Sequence, residues 1–275
     1  MKLSNKLQKL FAMLLVAVMV ISVLPMGSLS VFATVGEFAG GDGTEGNPYL
    51  IANKTQLNNV RYYFDASFKL IADIEFDDSD FEEGGDFYND GAGFVPIGMK
   101  NYPFTGTFDG DGHVIKNLYV NIETDTTIYA GLIGYNKGTI KNLGMIDGNV
   151  SATSPNSHAY AGGIAGYNDY GTITNCYNTG KVSATSSSSY AYAGGIAGYN
   201  YCETTENCYN TGNVSATSSK SHAYAGGIAG KNYGTITNCY NTGDVSASSS
   251  PAYAGGIAGH SDGTITNCYN TGDVS

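Results

Sequence analysis

Tryptophan is absent from this chain of 275 residues, histidine occurs four times, and Arg61 is the lone arginine. Thirteen basic residues stand against 24 acidic ones. With no basic stripe to neutralise phosphates, the composition argues against nucleic acid as a partner, and against an anionic membrane surface. Catalytic signatures are equally scarce. His113, His158, His222 and His260 never fall in a His-Glu-x-x-His arrangement, so a zinc-protease centre is not encoded. No Gly-x-Ser-x-Gly elbow occurs. A lyase-type centre needs clustered carboxylates beside a basic residue, and Arg61 sits apart, on the surface of an expected cap helix. The reading is non-enzymatic, with no cofactor beyond a calcium candidate in the acidic segment.

Long apolar runs are also missing, except Phe11 to Val23. That stretch is short for a spanning helix, which needs roughly 20 residues. Lys2, Lys6 and Lys9 precede it and Val31-Phe32-Ala33 comes after it, which is the pattern of a cleaved leader over residues 1–33. Its rival is an uncleaved membrane anchor. Cleavage leaves 10 of the 13 basic residues and all 24 acidic ones, a net charge of 10 − 24 = −14. The expectation is a secreted or cell-surface protein with no membrane insertion after cleavage.

Glycine and tyrosine are abundant instead, at 38 and 22 residues, and glycine is about twice its usual share. They recur in register. Tyr160-Ala-Gly-Gly-Ile-Ala-Gly166 returns at Tyr192, Tyr224 and Tyr253, spaced 32, 32 and 29 residues, and a weaker copy starts at Tyr129. Each of the four full copies is followed by Asn-Cys-Tyr-Asn-Thr-Gly. Self-similarity at this period marks a solenoid, whose units bury their apolar side by stacking on neighbours.

Within the unit from Tyr160, Ala161 to Tyr167, Thr172 to Thr174 and Lys181 to Ala184 read as three strands joined by three corners. Ile173 and Cys176 cannot both point inward along one straight strand, which places a corner at Asn175. Crossovers between parallel strands favour the right hand. The expected fold is therefore an all-β, right-handed parallel β-helix, with a propeller as runner-up. Along the chain, residues 34–47 read as a flexible Gly-rich start. Residues 48–93 read as an N-terminal strand–helix–strand cap plus an acidic loop, the helix running from Gln56 to Phe64 behind an Asn53 or Thr55 cap. Residues 94–275 are the repeats, and Asp109-Gly-Asp-Gly112 is a turn between two short strands. The last residues, Asp273-Val-Ser275, stop within a coil, so a partner or further residues are expected to cover that edge.

The body resembles the GLUG-motif repeats of bacterial surface proteins. The resemblance rests on Gly131-Leu-Ile-Gly-Tyr-Asn-Lys-Gly-Thr-Ile-Lys-Asn-Leu143, on the Tyr-Ala-Gly-Gly-Ile-Ala-Gly series and on Phe104-Thr-Gly-Thr-Phe-Asp-Gly-Asp-Gly-His113. It covers roughly Gly43 onward. It implies an exported adhesin-like chain, and it extends to the non-catalytic front region of IgA-specific metallopeptidases. Tyr201-Cys-Glu-Thr-Thr-Glu206 departs from the pattern and predicts a locally distorted coil.

Several residue sets are candidates for chemistry or for structure. Cys176, Cys208, Cys239 and Cys268 share one repeat position, where parallel inward side chains favour a column of free thiols over disulfides. Asn175, Asn207, Asn238 and Asn267 are expected to form a corner ladder. Cys202 aligns with Tyr170 and reads as a turn residue. Asp77, Asp78, Asp80, Glu82 and Asp86 are the calcium candidates, against the reading of a solvated loop. Ser151 to Ser157, Ser183 to Tyr190, Ser215 to Ser221 and Ser246 to Ser250 read as stacked loops. With Tyr160, Tyr192 and Tyr224 they form a candidate polar–aromatic strip for a cell-surface or host glycan or protein. Thr172-x-Thr174, Thr235-x-Thr237 and Thr264-x-Thr266 make an outward ladder, expected to be broken at Thr204-Thr-Glu206.

Overall fold

The computed structural model describes residues 37–275. The expected leader, 1–33, lies outside the described residues. Residues 37–275 fold as a parallel β-solenoid. Taking the coil from Ala159, the chain runs through five short strands, Ala159–Gly162, Ala165–Asp169, Thr172–Thr174, Tyr177–Asn178 and Lys181–Ser186. Each pairs in parallel with its counterpart one repeat later, as in Tyr160↔Tyr192, Tyr167↔Tyr199, Ile173↔Thr205, Tyr177↔Tyr209 and Val182↔Val214. Stacking produces five sheets: eight strands on the Thr172 side, seven on the Tyr177 side and five on each of the others. A propeller, with blades around a channel, is excluded by this topology.

Five sides replace the three expected. The segment read as one strand, Ala161 to Tyr167, bends at Gly163-Ile164, and Tyr177-Asn178 forms a side of its own. The bend depends on glycine: a Cβ at Gly195, the same position one coil on, would run into the Gly227 carbonyl and the Asn210 side chain. Two backbones approach there too closely for any side chain.

Stacked like residues form the core. Phe68, Phe108, Ile140, Ile173, Thr205, Ile236 and Ile265 succeed one another in register along the Thr172 side. Thr205 is buried in that column, and its coil keeps both register and pairing, so the expected distortion does not occur. Corners fall where the alternation breaks. Asn142, Asn175, Asn207, Asn238 and Asn267 all hold φ of 53 to 54°, the left-handed conformation that asparagine tolerates better than most residues.

The N-terminal strand–helix–strand is present and continuous with the repeats. Strands Tyr49–Ile51 and Ser67–Leu70 are the first two rungs of the eight-stranded sheet, in register Tyr49↔Phe68↔Phe108. Between them lies helix α1, Lys54–Asn59, extended by a 3-10 turn over Val60–Tyr62. The Asn53 side chain caps it by accepting the Gln56 N–H at 2.9 Å. Leu57 and Val60 are buried, whereas Phe64 is half-buried and outside the helix.

The N-terminal region differs from expectation in two places. The start read as flexible, 34–47, is fastened from residue 37 onward: Phe38 stacks on Tyr49 at 4.4 Å, and the Ala39 N–H donates to the Leu50 carbonyl at 2.8 Å. The acidic loop is ordered by its aromatics. It contains the short helix α2, Asp78–Phe81, and its Phe81 and Phe87 pack on Phe76 at 5.4 and 5.1 Å. The same segment then covers an edge strand, Tyr119–Glu123, with Phe94 N–H donating to Tyr119 O and Asn121 N–H to Ala92 O, both at 2.8 Å. An unpaired edge invites pairing with another chain, and Ala92–Phe94 removes that opening.

Candidate functional site

The tyrosines singled out from the repeats form a stacked wall along the solenoid. Tyr129, Tyr160, Tyr192, Tyr224 and Tyr253 stack with centroids 5.2, 4.7, 5.1 and 4.9 Å apart and planes within 10° of parallel. A second column, Tyr135, Tyr167 and Tyr199, stacks at 4.9 and 4.7 Å and meets the first edge-on, for example Tyr160 to Tyr167 at 5.4 Å. On the other flank His158 lies flat on Tyr190 at 5.1 Å, and His222 lies parallel to Tyr224 at 5.8 Å. Tyr160, Tyr192 and Tyr224 are consequently 8%, 6% and 8% exposed. This corrects the expectation of a binding strip at those three residues. A ring offers a ligand its face, and here each face already lies on the next tyrosine.

Electrostatics reflect that burial. It pushes the phenols of Tyr160, Tyr167, Tyr192 and Tyr199 well above their ordinary ionisation range. Tyr135 is raised by burial and then by Asp169, whose Oδ2 accepts its hydroxyl at 2.9 Å and pairs with Lys137 Nζ at 3.0 Å. Burial lowers the His158 imidazole, and its Nδ1 lies 2.7 Å from Ser189 Oγ. These tyrosines are therefore neutral at ordinary pH.

The serine-rich segments beside it are strand for half their length. In Lys181–Ser186, Val182, Ala184 and Ser186 face inward. Ser186 Oγ donates to Ser157 O at 2.8 Å and accepts the Ser189 N–H at 2.9 Å, so the serines brace the bends between the fifth and first sides.

Asparagine ladders run the length of the body. At the corner, Asn175 donates to Asn142 at 3.0 Å, Asn207 to Asn175 at 3.2 Å, Asn238 to Asn207 at 3.2 Å and Asn267 to Asn238 at 3.3 Å. Two further ladders were not anticipated. Asn136, Asn168, Asn200 and Asn232 are fully buried and linked at 2.7, 2.8 and 2.8 Å. Asn178, Asn210, Asn241 and Asn270 are linked at 2.9, 2.8 and 2.7 Å. Reading each asparagine as a local turn residue hid them; the signal was its return at every repeat. Stacked amides of this kind satisfy each other along the axis.

The repeat cysteines form the expected column of free thiols. Cys176, Cys208 and Cys239 are buried, and their thiols donate to the carbonyls of Thr174, Glu206 and Thr237 at 3.1 to 3.2 Å. Burial raises the Cys208 thiol well above its ordinary range. Contact with Cys208, then burial, does the same for Cys239. Cys202 is exposed in a left-handed turn position shared with Tyr170.

The threonine face is more continuous than expected. Thr107, Thr139 and Thr172 form one outward column that resumes as Thr204, Thr235 and Thr264, so Thr204 maintains it. Glu206 interrupts the neighbouring column between Thr174 and Thr237.

The acidic segment does not gather its carboxylates about one point. Asp77 and Asp80 both reach Lys54 Nζ, at 3.2 and 2.6 Å, and Asp80 also accepts the Asp77 N–H at 2.6 Å. Asp86 is exposed elsewhere on the loop. Among the described residues no group of three acidic, histidine or cysteine side chains could hold a metal ion. Asp78 and Glu82 turn the other way, into an open groove of about 480 Å³ shared with Phe81, Asn117, Tyr119, Asp147 and Asn149. Residue spacing alone did not reveal this groove, because it lies between the acidic segment and the two successive coils that carry Asn117 and Asp147.

Comparison with known proteins fits this picture. The chain carries GLUG-motif repeats: the family model described as "The GLUG motif" matches residues 157–183, 221–246 and 250–275. The crystal structure of a "putative immunoglobulin A1 protease" from Bacteroides ovatus is similar with a TM-score of 0.66 and 27% identity, over 89% of this chain and 82% of that one. A "Putative Gly-rich membrane protein" of Evansella cellulosilytica is 34% identical over 155 residues, 53% of this chain and 17% of that protein. "Halomucin" of Haloquadratum walsbyi is 32% identical over 129 residues, 42% of this chain and 1% of its own length. The chain thus spans a small part of these two relatives. Among the described residues no helix is long and apolar enough to cross a membrane.

Proposed function

We propose that this chain is an exported, non-enzymatic repeat module that works at the cell surface or outside the cell by binding a ligand in an adhesin-like manner. The observation that carries the reading is the commitment of its polar side chains to the scaffold. The asparagine ladders, Asp169, Asp109 and the buried thiols hold rungs together, and the wall tyrosines are neutral and occupied. A long rigid body with repeating outward rows is suited to presenting a surface. Export rests on the leader pattern of residues 1–33, and the names of the two relatives, a membrane protein and a mucin, support the surface location.

A second reading is favoured by one finding, the likeness to a protein named as a protease. In it the chain is the non-catalytic front of a larger secreted peptidase or polysaccharide-active enzyme. Surface labelling of producing cells, together with a glycan array probed with the purified chain, tests the first reading. Surface exposure and glycan binding are expected. Retention inside the cell together with a silent array would leave a scaffold role. Cleavage of immunoglobulin or polysaccharide by the natural full-length protein, but not by this chain, would favour the second.

A further inference from the structure

The geometry points to the groove between α2 and the solenoid as a binding site for a saccharide that carries free amino groups. This deepens the ligand-binding reading and rests on it. Phe81 and Tyr119 meet there with centroids 5.6 Å apart and planes inclined by 58°, forming an apolar corner outside the stacked wall. Unlike the wall tyrosines, Tyr119 and Phe81 line open space. A volume of about 480 Å³ falls within the range of small-ligand sites, roughly 300 to 1,000 Å³. A pyranose ring has an apolar face of the right kind for such a corner, and a polar rim for what surrounds it.

The rim sets the charge. Asn117 and Asn149 supply amides, and Asp78, Glu82 and Asp147 supply carboxylates. Among the described residues none of these three carboxylates has a lysine or arginine partner; the nearby Lys54 is held by Asp77 and Asp80. Lys181 stands one rung beyond Asn149 and does not line the groove. Asp147 is fixed by Thr179, whose Oγ accepts its N–H at 3.0 Å, in a left-handed corner with φ of 54°. Uncompensated carboxylates beside aromatic rings repel uronates, sialates and sulfated sugars and attract ammonium groups.

A basic peptide would satisfy the same charges, but the backbone argues against it. Peptides commonly add as a strand to an open sheet edge. Here the edge of Tyr119–Glu123 is already paired with Ala92–Phe94, leaving ring faces and side-chain groups as the recognition surface.

The test is calorimetric titration of the purified chain with a short glucosamine oligomer, its N-acetylated counterpart, an oligogalacturonate and an oligolysine. The glucosamine oligomer is expected to bind, more weakly as ionic strength rises from about 0.01 to 0.15 M. The oligogalacturonate is expected not to bind. The double variant E82Q/D147N should weaken glucosamine binding about tenfold, the scale of two solvent-facing ion pairs. Both positions are exposed and asparagine tolerates the corner at 147, so the fold should be retained, as circular dichroism would show. F81L, which keeps apolar packing but removes the ring, should also weaken binding. Equal binding of the N-acetylated oligomer, tighter binding of oligolysine, or unchanged affinity in E82Q/D147N would each overturn the assignment. If the glycan array is positive while E82Q/D147N binds its hits normally, the groove fails and the adhesin-like reading stands.

Discussion

Asn207 donates its side-chain amide to Asn175 Oδ1 at 3.2 Å, one rung away, while both residues hold nearly the same left-handed backbone, φ 53° and 54°. The corner and the ladder are thus one device. Asparagine supplies the backbone conformation that turns the chain, and its amide ties the turn to its neighbours.

Replacing Asn207 with alanine removes both contributions. The left-handed conformation costs a Cβ residue roughly 1–2 kcal/mol, and each lost hydrogen bond about 1 kcal/mol. N207A, which loses the bonds to Asn175 and from Asn238, is expected to lower stability by about 3–4 kcal/mol, and N207G by less, because glycine keeps the backbone. Urea unfolding of the three proteins measures it; equal losses in the two variants would show that the amide ladder, and not the backbone conformation, dominates at this corner.

Thr205 occupies an isoleucine position between Ile173 and Ile236, and its hydroxyl reaches Asn200 Oδ1 at only 3.4 Å. That oxygen also accepts from Asn168 at 2.8 Å, so losing the threonine leaves it paired. T205I should therefore stabilise the chain by about 1 kcal/mol through added apolar burial, read as a higher unfolding midpoint.

The five cysteines should react very unequally. Alkylation with iodoacetamide near neutral pH, followed by mass spectrometry, should label exposed Cys202 quickly. Cys208 and Cys239 should remain unlabelled until denaturant is added, because the thiolate is the nucleophile and burial disfavours it. Fast labelling of Cys208 in the native protein would contradict the closed column.

Alkaline pH should test the tyrosine wall. Tyr160, Tyr167, Tyr192 and Tyr199 should stay protonated in the folded chain beyond the ordinary tyrosine value of about 10. Their raised folded values mean that the native state holds protons the unfolded state releases. Their contribution is complete below about pH 10 and declines as pH rises toward the folded values. Absorbance titration should show their ionisation coinciding with loss of β-structure by circular dichroism. Simple titration of all tyrosines near pH 10 with the fold intact would contradict the wall.

Acid should act through Asp109. Its carboxyl is partly buried, which alone would raise it, yet bonds from Asn142, the Asp111 N–H and Lys141 together hold it below the usual range. The stability it supplies is present above its ordinary value of about 4 and is lost as pH falls through the depressed one. D109N should be less stable than the parent at neutral pH, and the difference in melting temperature should shrink below about pH 4.

Much of the fold was legible because the repeat restates the same local conflict several times. Ile173 and Cys176 both need the interior, so Asn175 has to turn the chain, and Asn207, Asn238 and Asn267 repeat the argument. Asn168 and Asn178 were not legible as ladders, since each also fits a simple turn and its partner lies a full repeat away. Phe38 was missed because glycines surround it; its stacking on Tyr49 depends on a chain reversal that local composition does not encode. The tyrosine strip, read as a binding surface, is buried by its own stacking.

The sequence by itself determined the period, the parallel stacking of like residues and the identity of the corner residue, because inward and outward alternation is a local property repeated in every coil. Only the tertiary structure decided that each coil has five sides, that the tyrosines consume one another's faces, and that Asp78, Glu82 and Asp147 share a groove with Phe81 and Tyr119. Those outcomes depend on which segments lie side by side after the chain has closed a whole coil, and on side chains that meet only across a full repeat, a separation over which no residue pattern specifies contact.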